Sequence, residues 1–301
     1  MKAFAFTAVA ALAIAGSLMA QGQQDFSKVQ IETVKLTSNF YVLNGQGGAI
    51  GVLTGPDGVL MVDSQFAPLT EKIVAAIKQV SNGAPIKFLI NTHVHGDHTG
   101  GNENLAKMGV TIFARPELRA RLEHPAPGAN GAPGTPAPAA ALPVVTYDSP
   151  ITFHMDGEEA QAIPIPKAHT DGDTLVYFPH NNVIMIGDYF RSLGYPNIDR
   201  TNGGSLPGMI SGIDKAISLC NADTKVVPGH GAITDRNGLI AHKEMIIAIR
   251  DKIAPMVAQG KSLQDVVAAK PTADYDSKVP AVGTTGERFI GQVYAELKAG
   301  K

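Results

Sequence analysis

One cysteine in 301 residues, Cys220, leaves this chain without an internal disulfide, so its core must hold through burial, helped at most by metal. In the run GMISGIDKAISLC that cysteine shares the apolar side of a helical repeat with Ile210, Ile213 and Ile217, which predicts a buried thiol rather than a nucleophile. Clustered basic charge is also missing. The formal net charge is -2 and no basic stripe with interleaved aromatics occurs, so no nucleic-acid partner is expected. Nor is a permanent membrane span expected. The apolar run Ala3 to Gly16 follows Lys2 and is too short to cross a bilayer, which reads as an export signal over residues 1–20. Cleavage is expected after Ala20, with a cut after Ser17 as the alternative, and the protein is expected to be periplasmic or secreted.

What remains, residues 21–301, is 44% hydrophobic over the whole chain and enough for one sizeable core, so a single domain is expected. FYVL at Phe40 to Leu43, AIGVL at Ala49 to Leu53 and VLMVD at Val59 to Asp63 are strand-like, with GPDG at Gly55 to Gly58 as a hairpin turn. Helical spacing follows over Leu69 to Val80, then the buried strand IKFLI at Ile86 to Ile90 and another strand at Gly109 to Ala114. A second set of strands is predicted at Ile151 to Met155, near Ile163, at Leu175 to Phe178, at Asn182 to Asp188 and at Lys225 to Gly229. Helices are predicted at Pro207 to Cys220, Asn237 to Ala258, Leu263 to Ala269 and Gly286 to Lys298. Strands and helix, strand and helix, repeated twice, predict an α/β fold of two packed sheets with helices outside each, a four-layer αββα sandwich. Between Pro125 and Pro143 the segment PAPGANGAPGTPAPAAALP, rich in Pro, Ala and Gly, is expected to be an irregular surface insertion, with an active-site border as the alternative reading.

The chemistry concentrates in NTHVHGDHTG, Asn91 to Gly100, directly after a buried strand. His93 and His95 at alternate positions can aim two imidazoles at one point, and Asp97 and His98 follow at a glycine-assisted turn. Several buried imidazoles and a carboxylate each carry a desolvation penalty, which a divalent metal relieves together. Three later residues, His169 in KAHTDGD, Asp188 in NVIMIGD and His230 in KVVPGHG, sit where strands hand over to loops, the usual place for functional groups on an α/β framework. They bring the candidate ligands to seven.

These segments resemble the metallo-β-lactamase fold superfamily of binuclear metal-dependent hydrolases, whose pattern is His-x-His-x-Asp-His followed by a distant His, an Asp and a final His. The resemblance covers roughly Phe40 to Gly231. It implies that His93, His95 and His169 hold a first metal, that Asp97, His98 and His230 hold a second, and that Asp188 bridges them. It also implies two Zn2+ ions, with Fe or Mn open because no thiolate selects a softer metal. The expected enzyme is a hydrolase in which a metal-activated hydroxide attacks the carbonyl carbon of a small cyclic amide, lactone or ester. Asp97 would be both ligand and orienter of the nucleophile.

Around that set, Asp63 and Asp173 are candidates to hydrogen-bond a ligand imidazole, with strand-end or turn capping as the alternative. Lys167, Arg191 and Arg200 are candidates to meet a substrate carboxylate, and Tyr195 to donate to an oxyanion or stack on substrate. NGQGG at Asn44 to Gly48 reads either as a mobile loop over the mouth or as a simple hairpin turn. Thiolate-bearing lactamases carry cysteine where this chain has Asp188, so the combination of Asp188 with His98 is more similar to thioesterases, lactonases and phosphodiesterases of the fold. β-Lactamase-like activity is then secondary. An iron-dependent oxidoreductase, or a binding protein that kept the fold, are the other classes the pattern admits.

Overall fold

The computed structural model describes residues 25–127 and 131–300, so the expected export signal lies outside the described residues. A first sheet takes its strands in chain order: β1 (Glu32–Lys35), β2 (Phe40–Asn44), β3 (Ile50–Gly55), β4 (Gly58–Val62), β5 (Ile86–Ile90), β6 (Thr111–Ala114) and β7 (Val145–Thr146). β1 to β4 pair antiparallel, and β4 to β7 run parallel because helices intervene: α1 (Thr70–Val80), the single turn α2 (Gly96–Thr99), α3 (Asn102–Lys107) and α4 (Pro116–Glu123). The second sheet contains β8 (Ile151–Met155), β9 (Glu158–Pro164), β10 (Thr174–Phe178), β11 (Val183–Met185) and β12 (Lys225–Val227), ordered β12-β11-β10-β9-β8. Against it pack α5 (Leu206–Leu219), α6 (Arg236–Ala258), α7 (Leu263–Ala268) and α8 (Gly286–Ala299).

Strand alternation builds the layers. In β4, Leu60 and Val62 face the second sheet, where they meet Val176, Phe178 and Met185, while Val59 and Met61 face Ile73 and Ile77 of α1. In the second sheet, Val176 points inward, and Leu175 and Ile184 point outward to Met209 and Ile213 of α5 and Ile246 and Ile249 of α6. Three apolar cores separated by two sheets are the four expected layers.

The structure also has elements that periodicity did not suggest. β1, ETVK, is an exposed edge strand, and α4, PELRARLE, buries only Leu118. The described part of the segment 125–143, which includes a 3-10 turn at Ala139–Ala141, is not loose. Ala137 N donates to Leu122 O at 2.9 Å, Arg119 Nη1 to Pro143 O at 2.6 Å and Asn102 Nδ2 to Ala141 O at 3.2 Å, and Ala141 and Leu142 are buried. Cys220 caps the end of α5 and is half-buried, with burial pushing its thiol up to about 11, so it is no nucleophile at neutral pH. No helix among the described residues is long and apolar enough to cross a membrane.

Candidate metal centre

The seven candidate residues leave the two sheets at one shared edge. β5 delivers His93 and then His95, the latter in extended backbone, and α2 then turns Asp97 and His98 onto the same face. His169 lies between β9 and β10, Asp188 in a 3-10 turn (Gly187–Tyr189) after β11, and His230 just after β12. Three sets of donor atoms result, each within 4.8 Å: His93, His95 and His169; His93, His98 and Asp188; and Asp97, His98 and His230. Asp188 lies between the outer two. Its Oδ1 is 3.4 Å from Nε2 of both His98 and His230, and its Oδ2 is 3.9 Å from His169 Nε2.

Hydrogen bonds behind the rings decide which nitrogens face inward. His169 Nδ1 donates to Asn197 O at 2.6 Å, and His95 Nε2 to Asp199 Oδ2 at 2.7 Å. The remaining pair, His169 Nε2 and His95 Nδ1, then face each other with lone pairs 3.0 Å apart, an arrangement that a cation relieves. His93 Nε2 and Asp188 Oδ1 are buried with no hydrogen-bond partner, which tells the same story. Nitrogen and carboxylate donors without thiolate suit zinc, iron or manganese. The residues present therefore fit a pair of divalent cations.

Electrostatics follow from burial and crowding. Desolvation, reinforced by His98 and His169, holds His93 well below the ordinary histidine value, and burial takes His169 down to about 4. Burial would lower His98 too, but the carboxylates of Asp63 and Asp188 overcome it and push His98 well above the ordinary value. Asp188 is held well below the usual carboxylate range, since His98 and His230 outweigh its desolvation. Desolvation of Asp97 is likewise outweighed by the hydrogen bond from His230 and the charge on His98, bringing it to about 2. A cation entering here replaces the proton that His98 shares with its carboxylates.

Asp63 hydrogen-bonds a ligand imidazole rather than capping its own strand end. At φ +63°, just past β4, its Oδ1 accepts from Thr92 N at 2.7 Å, and its Oδ2 accepts from Thr92 Oγ1 at 2.6 Å and His98 Nδ1 at 2.7 Å. Asp173 touches no imidazole. It caps the turn instead, accepting from His169 N at 2.6 Å and from Thr170 N and Oγ1, and burial raises it to about 7. The loop at 44–48 is anchored rather than free. Gln65 Nε2 donates to Gly48 O at 2.7 Å and Gly48 N to Asp97 O at 3.0 Å. Glycine is required at two close approaches. A Cβ on Gly48 would land in the His98 imidazole, and one on Gly229 would land on Asp188 Oδ1.

Of the four substrate candidates, the structure brings only Arg191 to the centre. Its Nε is 3.8 Å from Asp188 Oδ2, and it lines a cavity of about 410 Å³ with Phe190, Tyr275 and Lys278. Tyr195 is a correction. It turns away into the C-terminal helices, stacked on Phe289, with its hydroxyl donating to Asp276 Oδ1 at 2.6 Å. Arg200 is a second correction, in an ion pair at 3.5 Å with Glu296 of α8, and Lys167 is exposed. Asp199 and Gln65 are functional neighbours that sequence reasoning missed. Asp199 lies 104 residues from the histidine it holds, and nothing in local spacing marks it.

Comparison with known proteins agrees with this geometry. The chain is 30% identical over 181 residues to a hydroxyacylglutathione hydrolase of Brucella anthropi, covering 58% of this chain and 60% of the relative. It is 23% identical over 192 residues to a metallo-β-lactamase type 2 of Bacillus cereus, covering 64% and 69%. The chain thus spans about three-fifths of the length of the first of these relatives. Among solved structures, a metallo-β-lactamase from Pontibacter korlensis superposes with a TM-score of 0.58 at 21% identity, over 72% of this chain and 99% of that one. The sec-alkylsulfatase Pisa1 from Pseudomonas sp. gives 0.68 at 16%, over 88% and 50%. The family model for the metallo-β-lactamase superfamily matches residues 43–235, more than half of the chain and all seven clustered side chains. The chain belongs to the metallo-β-lactamase superfamily.

Proposed function

We propose that this protein is a binuclear metal-dependent hydrolase acting on the carbonyl carbon of a small ester, thioester, lactone or cyclic amide, with zinc as its metal. The observation that carries the reading is the shared Asp188, whose two oxygens face two separate donor sets while His93 Nε2 and its own Oδ1 lack partners. His93, His95 and His169 would hold one cation and Asp97, His98 and His230 the other. When bound, such a pair supplies a Lewis acid for a carbonyl oxygen and lowers the pKa of water.

The chain's own residues account for the rest. Asp97 is ionised at neutral pH and 28% exposed, so it can accept a hydrogen bond from an attacking water and fix its orientation. Arg191 offers a cation to an anionic group on the substrate, beside the cavity it shares with Lys278. The combination of Asp188 with His98 is more similar to thioesterases and lactonases of the fold than to thiolate-bearing lactamases, and the name of the Brucella relative points the same way. The test is a zinc-reconstituted protein assayed as kcat/KM on a lactone, a thioester, a β-lactam and an aryl phosphodiester. Preference for a carbonyl substrate supports the reading, whereas a preference for the phosphodiester, or redox activity with iron, overturns it.

Export as one unit from residue 21 belongs to the same proposal, supported by MKAFAFTAVAALAIAGSLMA. N-terminal sequencing of the protein from a periplasmic fraction tests it, and a retained Met1 refutes it.

A further inference from the structure

The open side of the centre is uneven. His93 and His169 are fully enclosed, whereas the His95 side chain is 27% exposed and forms part of a second cavity, of about 440 Å³. Its far wall is the insertion: Pro125, Ala126, Pro127, Thr135 and Ala137, facing Val94 and Leu122. The charged groups in the cavity are already committed, and Thr135 and Thr201 also line it. His95 Nε2 and Asn202 Nδ2 both donate to Asp199 Oδ2 at 2.7 Å. Arg121 spends Nη2 and Nε on Asp171, at 2.8 and 3.4 Å, and Nη1 on Thr201 O at 3.1 Å. A charged ligand would have to break these pairs, while an uncharged hydrocarbon would leave them intact and displace water from the Pro, Ala, Val and Leu part of the wall. The insertion is held in place for this, since Ala137 N is bonded to Leu122 O at the end of α4.

We propose that the insertion completes a binding trough for an uncharged hydrocarbon arm of the substrate, entered across His95. This rests on the hydrolase reading above and deepens it: the substrate carries an aliphatic chain on the His95 side of its reacting carbonyl. Continuity with the donor cluster through His95 is what assigns the occupant, because anything bound over that imidazole reaches both places. Each methylene buried in the trough strengthens binding about fourfold until the cavity is full.

The experiment uses the full zinc-loaded chain, two homologous ester series and a binding measurement. One series lengthens the acyl chain of an aryl ester from acetyl to octanoyl, and the other lengthens the alcohol of an acetate ester from methyl to octyl. Calorimetry follows linear carboxylates from butyrate to octanoate. The expected result is a three- to fourfold rise in kcat/KM per methylene in one series, which identifies the arm, and a parallel tightening of carboxylate binding. Ala126→Asp and Ala137→Asp should flatten both dependences with zinc content and circular dichroism retained. Ala137→Leu should shorten the longest chain accepted. Flat chain-length dependence in both series and in binding overturns the trough. If no ester is cleaved but carboxylate binding still tightens with length and is lost in the Asp variants, the hydrolase reading fails and the trough stands.

Discussion

Asp63→Asn is a change of one atom whose consequences spread to both halves of the centre. The wild-type carboxylate takes the hydrogen of Thr92 Oγ1 at 2.6 Å, leaving that oxygen to accept from His93 Nδ1 at 3.1 Å, and it also takes the Nδ1 hydrogen of His98 at 2.7 Å. Once metal has displaced the extra proton on His98, both rings therefore turn an unprotonated Nε2 toward the cluster. An amide nitrogen in place of Oδ2 donates where the carboxylate accepted. Thr92 then points its hydrogen at His93 Nδ1, and the ring protons of His93 and His98 move to the nitrogens that should ligate. Asparagine tolerates the left-handed backbone at φ +63° as well as aspartate does, so the substitution adds no conformational cost. Loss of a partner behind a ligating histidine costs about 10- to 100-fold in metal affinity, and two rings are affected here, so metal binding should weaken by about that factor. Without metal, losing hydrogen bonds to a buried charge should cost about 1.5–3 kcal/mol of stability. Competition with a chromophoric chelator gives stoichiometry and affinity, and urea unfolding of the stripped protein gives the second number. Two equivalents of zinc bound with unchanged affinity would refute the tautomer argument.

Gly229→Ala should displace the Asp188 carboxylate, removing at least one equivalent of metal and lowering kcat/KM about 100-fold, with circular dichroism unchanged; retained stoichiometry and rate would contradict the close approach. Tyr195→Phe should leave kcat/KM within about twofold and cost about 1 kcal/mol in unfolding free energy, because its hydroxyl serves Asp276 and not a substrate. His242, buried against Phe190, has its pKa lowered by burial from 6.5 to about 4. Protonation therefore favours the unfolded chain, and the stabilisation is whole above pH 6.5 and lost as the pH falls toward 4. Between pH 7 and 4.5 that loss is about 2.5 kcal/mol, so His242→Met should show a correspondingly shallower decline in urea unfolding; equal declines would sink the assignment.

Much of the fold was legible because burial imposes pattern. β5 and β8 occupy their predicted residues, and α6 and α8 differ from prediction by one residue at an end. The elements that escaped have little to bury: β1 is nearly all exposed, and α4 is held by ion pairs such as Arg119 with Glu123 at 2.8 Å rather than by an apolar stripe. The seven clustered residues were legible because their spacing after strand ends is unusual. Their supports were not, since Asp199 and Gln65 reach the site only through the folded path of distant loops. Tyr195 and Arg200 misled for the converse reason. Both follow Asp188 closely in sequence, yet the chain leaves the 3-10 turn at 187–189 and carries them against α8.

The donors come from two sheets made at different times. His93 to His98 belong to the half synthesised first, while His169, Asp188 and His230 belong to the half that follows. A cation meeting the emerging polypeptide finds only an incomplete claw until residue 230 has docked. Tight metal capture is then a late checkpoint of assembly, and protein finished without its metal would be unfastened, its two halves parting more readily.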